Sequence, residues 1–244
     1  MSWIPDKPDS RDLIYSAPED AIDPPYSHDL RPVLPWAWSQ GATSSCAGYA
    51  FAAAFSALCS KHSRPVYDPS KFYPYFFGRF IDGIHGVDKG SSIRSVIKAA
   101  ARYGDCHDWQ WPSDSSKICE MPSDEARDAG KKKKVLAYRR LRTSVSDVKR
   151  CVAEGRPVIF GTVLGKESID DARRTGVYEI PRAGCNTSGR HAMVVVGYEG
   201  DDLIIRNSWG SQWGDNGHCR THASLLLLPW LTGDLWIIDS VSDR

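Results

Sequence analysis

The spacing of apolar residues changes between the two halves of the chain. In the first half, apolar side chains recur every three or four positions, which is typical of buried helices. In the second half, they form short runs bounded by glycine, proline and acidic residues, which is typical of strands. Because helices come first and strands come later, the pattern predicts an α+β protein with a helical lobe and a β lobe.

The clearest helical pattern covers residues 45–61. This segment is rich in alanine, and its large apolar residues lie near helical spacing at Tyr49, Phe51, Phe55 and Leu58. A helix with so few polar residues has no wide polar face that could be exposed to solvent. The sequence therefore predicts a helix that is buried on most sides.

The residues before this helix predict where it begins. Gly41 interrupts regular structure, and residues 43–45 all carry hydroxyl groups that favour N-cap positions. Cys46 is therefore expected in the first turn, where the helix macrodipole favours an anion such as a thiolate. A buried cysteine in an alanine-rich helix is also explained by packing alone, so both interpretations stand at this point.

A second helix is predicted to begin near Ile93 and to end at Gly104. A turn and cap at residues 88–92 precede it. Its apolar face is formed by Ile93, Val96, Ile97, Ala100 and Ala101. Between the two helices, residues 64–82 are dense in aromatic side chains. We expect these aromatic residues to pack around a helix, and a substrate-binding aromatic surface is the less favoured alternative.

Strands are predicted in the second half over residues 135–141 and 157–164, with a short capped helix over residues 146–155 between them. A hairpin follows these elements. Its first strand begins at His191, and its second strand is predicted over residues 202–206. These strands would build the β lobe.

Composition excludes some classes of protein. The chain has 244 residues, of which 41% are apolar and 25% are charged, as in ordinary globular proteins. Its formal net charge is +1, which favours neither nucleic acid nor an anionic membrane as a partner. The four lysines at 131–134 are a short basic run, which we interpret as a solvated helix end and a linker between the lobes.

The N-terminal residues do not resemble a targeting signal. Residues 1–10 are polar and proline-rich, without the basic and apolar regions of a Sec signal peptide. The most apolar run, at residues 225–231, contains Pro229 and is too short to cross a bilayer. We therefore expect a chain that is cytoplasmic or exported without a Sec signal peptide.

Separated segments of the chain carry the residues that acyl transfer by a thiolate needs. Cys46 lies at the predicted helix start, and Gln40 precedes it by six residues. His191 begins a predicted strand, and Asn207 follows the next strand. A nucleophilic thiol works with a proton-transferring base and with a third group that orients the base.

These segments resemble the papain-type (C1) cysteine peptidases, from about Asp29 to the end of the chain. The matching motifs are Gln-Gly-x4-Cys at 40–46, His-Ala at 191–192 and Asn-Ser-Trp-Gly-x-x-Trp-Gly-x-x-Gly at 207–217. The last motif is the most specific, because two tryptophans and three glycines stand at fixed spacing.

The cysteine segment departs from the family signature at two positions. Thr43 stands where the family has a cysteine, and Ala47 stands where it has Trp or Tyr. Many secreted relatives form a disulfide from the first of these positions, so that bridge is absent here. Six cysteines remain beside Cys46, and the lack of a signal peptide favours reduced thiols.

The resemblance implies a role for each polar residue of the site. Cys46 would be the nucleophile, and His191 would carry the proton. Asn207 would orient the imidazole of His191, and Trp209 would shield the hydrogen bond between Asn207 and His191 from water. Gln40 and the backbone N–H of Cys46 would form the oxyanion hole.

The resemblance also implies substrate-binding positions and a division into lobes. Gly90 would let a substrate backbone approach closely, and Ala192 would be a wall of the main specificity pocket, with Trp209 nearby. Residues 29–128 would form the mainly helical lobe with the nucleophile. Residues 129–244 would form the mainly β lobe with the histidine and asparagine, and the cleft would lie between them.

Residues 1–28 precede the region that resembles the family. They are rich in proline and acidic residues, with apolar anchors at Trp3, Ile4, Leu13, Ile14 and Tyr15. We expect an arm that lies along the surface. The alternative is a short pro-segment that touches the cleft.

The implied function is that of a cysteine peptidase, and more narrowly of an endopeptidase. A transpeptidase or amidase with the same site is one alternative, and a catalytically silent papain-like binding module is another. Expected partners are protein or peptide substrates and protein inhibitors, without nucleic acid or membrane. No cofactor or metal is expected, because there is no Cys-x-x-Cys and the donors at residues 218–222 have no second cluster.

Overall fold

A computed structural model describes residues 3–18, 20–60 and 66–242. The first half of this part is mainly helical and the second half contains most of the sheet. The helices are α1 (Cys46–Ser60), α2 (Phe72–Ile81), α3 (Ile93–Tyr103), α4 (Asp124–Gly130), α5 (Val145–Ala153) and α6 (Lys166–Thr175). Short 3-10 helices cover Arg31–Val33, Ser115–Lys117 and Ala223–Leu227.

The strands form one antiparallel sheet of seven strands in the described part of the chain. They are β1 (Ser27–Asp29), β2 (Val135–Arg140), β3 (Val158–Gly165), β4 (Thr187–Glu199), β5 (Asp202–Arg206), β6 (His218–His222) and β7 (Thr232–Val241). Their order is β2-β7-β3-β4-β5-β6, and β1 pairs with the end of β4. The prediction of an α+β fold with a helical lobe and a β lobe is confirmed.

Helix α1 is buried over nearly its whole length, as its alanine-rich sequence predicts. It lies unusually close to α2, because a β-carbon at Gly48 would come within 2.4 Å of the carbonyl oxygen of Lys71. The predicted end of this helix at Lys61 lies outside the described residues. Five aromatic residues of α2 are buried against their neighbours, which confirms core packing there, whereas Phe80 near the end of the helix is exposed.

The end signals of α3 act as predicted. The side-chain oxygen of Ser92 accepts a hydrogen bond from the backbone N–H of Ser95 at 3.0 Å and caps the helix. Gly104 follows the last turn with φ at 82°, a left-handed conformation that glycine adopts without strain. The helix therefore begins and ends where its sequence places the cap and the glycine.

The central strand β4 separates two buried apolar clusters. Ala192 and Val194 face α1, α2 and α3 in what we call the helix-side cluster. Met193 and Val195 alternate with them and pack with α5 in what we call the outer cluster. The helical lobe therefore packs on one face of the sheet, directly against the strand that carries His191.

Residues before β1 contribute to both clusters. Trp3 is buried in the helix-side cluster and Tyr15 in the outer cluster. Leu13 and Ile14 between them are largely exposed. The N-terminal segment thus places individual side chains inside the molecule, while Leu13 and Ile14 stay at the surface.

Two general features bear on the sequence expectations. None of the seven cysteines, all of which lie in described segments, forms a disulfide. Within residues 3–18, 20–60 and 66–242, no helix combines the length and the apolar character that a membrane span requires.

Candidate active site

Cys46 is the first residue of α1 and is completely buried. The segment before it folds back on itself. The hydroxyl of Thr43 donates to the carbonyl of Gln40 at 2.7 Å, and the backbone N–H of Gln40 donates to the carbonyl of Ser208 at 2.9 Å. The start of the helix is thereby attached to the segment that follows β5, in the other lobe.

A carboxylate holds the same segment to the helical lobe. Asp88 accepts a hydrogen bond from the backbone N–H of Ser44 at 2.8 Å and another from the Tyr75 hydroxyl at 2.6 Å. The Tyr75 oxygen in turn accepts from the backbone N–H of Gly90 at 3.1 Å. This chain of hydrogen bonds joins the segment before α1 to Gly90, the predicted substrate-binding glycine. It begins at Ser44, the residue after Thr43, and Thr43 is the position at which many relatives carry a disulfide cysteine.

His191 lies in β4 opposite Thr162 of β3 and is fully buried. One ring nitrogen, Nε2, lies 2.8 Å from the side-chain oxygen of Asn207. The other nitrogen, Nδ1, is buried and has no hydrogen-bond partner among the described residues. Burial lowers the pKa of His191 to about 4, so a protonated ring in this place needs a negative charge beside it.

Asn207 is fixed by the backbone around it. Its backbone N–H donates to the carbonyl of Gly217 at 2.9 Å. Its side-chain oxygen accepts from the backbone N–H of Ser208 at 2.7 Å, and the same oxygen is the one that lies 2.8 Å from Nε2 of His191. Trp209 lies over the imidazole, with ring centroids 5.0 Å apart. The indole therefore lies beside the imidazole, and its shielding of the bond between His191 and Asn207 stays a prediction.

Gln40 is held at both ends of its amide. Its oxygen accepts from the Ser208 hydroxyl at 2.6 Å, and its nitrogen donates to the carbonyl of Thr43 at 2.7 Å. An amide nitrogen carries two protons, so one N–H is left for another acceptor. Ser208 therefore connects the predicted oxyanion donor with the residue that orients the histidine.

The two lobes bring most of these residues to one region. Tyr49 and Ala50, one turn beyond Cys46, line a narrow space together with Ala192 and Asn207. Gly90 lies farther along the helical lobe, just before α3. The arrangement fits thiol-based acyl transfer, with a cysteine at a helix start and, on a strand of the other lobe, an imidazole held by an asparagine.

Sequence reasoning missed three residues that support this region. The sequence predicts only a turn at Asp88, only aromatic packing for Tyr75, and only a motif position for Ser208. Each acts through a contact with a distant part of the chain, and no local pattern signals such a contact. A polar side chain within a buried segment, such as the Tyr75 hydroxyl, was the one available hint, because it needs a partner.

Comparisons with known proteins agree with this geometry. The sequence model described as "Papain family cysteine protease" matches residues 78–225, more than half of the chain. The chain belongs to the papain family of cysteine proteases. An uncharacterized peptidase C1-like protein, L477, of Acanthamoeba polyphaga mimivirus is 31% identical over 272 aligned positions, which cover 100% of this chain and 88% of that protein.

Solved structures of papain-family proteins share the fold. Xylellain, a cysteine protease from Xylella fastidiosa, superposes with a TM-score of 0.88 at 28% identity, covering 98% of this chain and 95% of that one. Bromelain protease from Ananas comosus, in complex with the E64 inhibitor, superposes with a TM-score of 0.67 at 18% identity, covering 87% of this chain and 97% of that one. The second likeness concerns the fold alone.

Proposed function

We propose that this cysteine-type peptidase hydrolyses peptide bonds with Cys46 as nucleophile, His191 as proton carrier, Asn207 as orienting group and Gln40 as oxyanion donor. The observation that carries the proposal is the buried His191 ring. One of its nitrogens is fixed by Asn207 at 2.8 Å, and the other has no hydrogen-bond partner in the described part of the chain. An imidazole held in this way has one nitrogen ready to exchange a proton.

The reaction divides into two steps. In the first, the Cys46 thiolate attacks the carbonyl carbon, and the oxyanion that forms accepts from the free N–H of Gln40 and from the Cys46 backbone N–H. The C–N bond then breaks as His191 gives its proton to the leaving amine. In the second step, His191 takes a proton from water, the hydroxide attacks the thioester, and the thiolate leaves.

Burial of His191 makes the thiolate and the imidazolium depend on each other. The ring alone has a pKa lowered to about 4, and a thiolate next to it favours the charged form by about 1–3 pKa units. We therefore expect a pKa for His191 near 4 in Cys46→Ala and a clearly higher one in the wild type. Titration of the ring carbon and proton signals by NMR measures both values, and equal values would contradict the ion pair.

Gln40 provides a second test. Because its bond to the oxyanion strengthens only in the transition state, Gln40→Ala should lower kcat by about 10²–10³ with little change in KM. Initial rates on one fluorogenic peptide measure both constants. Gln110, which accepts from the backbone N–H of His107, offers a matched control, and Gln110→Ala should leave kcat unchanged. A change confined to KM in Gln40→Ala would refute the oxyanion role.

We infer that the bound peptide passes between the lobes defined by residues 29–128 and 129–244, with residues 1–28 as an extension. Gly90 on the helical lobe and Ala192 on the β lobe support this path. A peptide that contacts both lobes can extend past the cleaved bond in each direction, so we propose endopeptidase activity on protein or peptide substrates. An inhibitor such as E64, which is bound to bromelain in the solved structure, would bind along the same path.

A peptide library with both termini blocked tests this function. Cleavage at internal bonds supports an endopeptidase, whereas release of terminal residues from unblocked peptides alone would contradict it. New peptide bonds in the presence of an amine acceptor would identify a transpeptidase. Absence of any turnover, together with peptide binding, would identify a catalytically silent binding module.

A further inference from the structure

Trp38 lies two residues before Gln40, in the segment that leads to α1. It is buried and belongs to the helix-side cluster. Its indole Nε1–H is also buried and has no hydrogen-bond partner among the described residues. Buried donors in proteins usually have a partner, so this ring is held in another way, by contacts with its faces and edges.

Two cations lie over this one ring. The Lys71 ammonium is 4.4 Å from the ring centroid, and the guanidinium carbon of Arg206 is 4.7 Å from it. Each of these two residues is only 3% exposed. The ammonium also pairs with Asp68 and Asp108, at 2.9 and 3.1 Å. A cation over an aromatic face is attracted by the ring, and the attraction is stronger where water is excluded.

Arg206 depends on the ring more than Lys71 does. In the described part of the chain it forms no ion pair with a carboxylate, and it donates instead to the backbone carbonyls of Pro35 and Trp36 at 2.7 and 2.6 Å. Burial lowers the pKa of Arg206 to about 10, which leaves the guanidinium charged at neutral pH. A buried charge without a carboxylate partner costs free energy, and the negative face of an indole offsets part of that cost.

The contacts of Trp38 come from both lobes. Lys71 immediately precedes α2 in the helical lobe, and Arg206 is the last residue of β5, directly before Asn207. A third contact comes from Tyr49 of α1, whose ring meets the indole edge-on with centroids 6.5 Å apart. The indole therefore joins the helix that begins with the candidate nucleophile to the strand that ends at the orienting asparagine.

The backbone between Trp38 and Gln40 is also fixed. The carbonyl of Trp38 accepts from the N–H of Gly210 at 2.9 Å, and the N–H of Gln40 donates to the carbonyl of Ser208 at 2.9 Å. A short segment held at both ends moves as one piece, so a shift of the indole displaces the Gln40 amide. Displacement of a catalytic group by about 1 Å can lower a rate by about 10².

We propose that Trp38 is a positioning residue for the oxyanion hole, held by Lys71 from one lobe and by Arg206 from the other. The proposal rests on the proposed role of Gln40 and deepens it. We call Lys71, Trp38 and Arg206 the cation clamp. None of the three touches the substrate. The clamp acts through the backbone of residues 38–40 and keeps the Gln40 amide where the oxyanion forms.

The first experiment replaces Trp38 in the full-length chain. Trp38→Leu keeps an apolar side chain and removes the aromatic face, so kcat should fall by about 10–10² with little change in KM. Trp38→Phe keeps an aromatic face and loses an N–H that has no partner, so it should retain most of the wild-type kcat. Initial rates on one fluorogenic peptide measure both constants. Trp36→Leu is the matched control, because the Trp36 side chain is 82% exposed in the same segment, and it should behave as the wild type.

A double-mutant cycle separates positioning from simple stabilisation. If Trp38 acts through the Gln40 amide, Trp38→Leu should change kcat little in a chain that already carries Gln40→Ala. Residues that act as one unit show such non-additive effects, whereas independent residues give additive ones. The same loss of kcat from Trp38→Leu in both backgrounds would show that Trp38 does not act through Gln40, and it would overturn the proposal.

Variants of Arg206 test the charge over the ring, and they also serve if Trp38→Leu does not fold. Arg206→Met removes the charge and should lower kcat as Trp38→Leu does. Arg206→Lys returns a cation that can lie over the indole and should recover most of the activity. Equal losses in the two variants would mean that the hydrogen bonds to the carbonyls of Pro35 and Trp36 hold the segment, and the clamp would be refuted.

The failures of the clamp and of the proposed function are distinguishable. A lower kcat in Gln40→Ala together with a wild-type kcat in folded Trp38→Leu would overturn the clamp and leave the oxyanion role standing. A lower melting temperature in Trp38→Leu with unchanged kcat would mean that Trp38 only stabilises the fold. An unchanged kcat in Gln40→Ala would overturn the oxyanion role, and turnover that survives Cys46→Ala would overturn the proposed function itself.

Discussion

We expect Cys46→Ala to reduce peptide hydrolysis by a factor on the order of 10⁵–10⁶, to the level of residual catalysis by binding and the oxyanion hole. The variant removes the sulfur that, in the proposed mechanism, forms the acyl-enzyme, and it leaves the surrounding residues in place. Alanine suits this helix, which already contains many alanines. The cost in stability should be about 1 kcal/mol, because only one buried atom is lost.

The control for this variant is another buried cysteine. Cys151 lies in α5, in the outer cluster on the opposite face of the sheet. Cys151→Ala removes the same atom from an equally buried place and should keep full kcat/KM. Circular dichroism melting curves report folding for both variants. Wild-type rates in folded Cys46→Ala would refute the nucleophile assignment.

The second large effect is expected for His191→Ala, nearly as large as that of Cys46→Ala. In the proposed mechanism the histidine both helps to form the thiolate and protonates the leaving amine, so its loss would remove both functions. Asn207→Ala should cost less, because it removes only the group that holds the ring at 2.8 Å. Ratios of kcat/KM for the three variants on one peptide measure this order.

His222 offers a control, since it is exposed and caps the short helix at residues 223–227. His222→Ala should leave kcat/KM close to that of the wild type. If Asn207→Ala were as damaging as His191→Ala, Asn207 would do more than orient the ring. If His191→Ala retained most of the activity, another group would carry the proton.

The helices and strands with regular apolar spacing were predictable from the sequence. Helix α1 begins at Cys46, as the hydroxyl residues before it indicate, and α3 ends at Gly104. Helix α6 was not predicted, because only Ile169 and Ala172 of its residues are buried. Two apolar positions in a polar segment are too few to reveal a helical period.

The candidate site was predictable only in part. The motifs around Cys46, His191 and Asn207 indicate the chemistry, because acyl transfer requires those residue types. The pairing of His191 with Asn207 follows from strands that meet in the fold. The hydrogen bonds of Asp88 and of the Trp3 indole join segments far apart in the sequence, and only the three-dimensional structure brings those segments together.

The central claim is that one thiol, activated by its place in the fold, attacks the substrate. Reaction with an epoxysuccinyl peptide, followed by intact mass and peptide mapping, tests it most directly. We predict one adduct per chain, on Cys46, that forms much more slowly in His191→Ala and is accompanied by complete loss of activity. An adduct on any of the other six cysteines, or full activity after Cys46 is modified, would contradict the account.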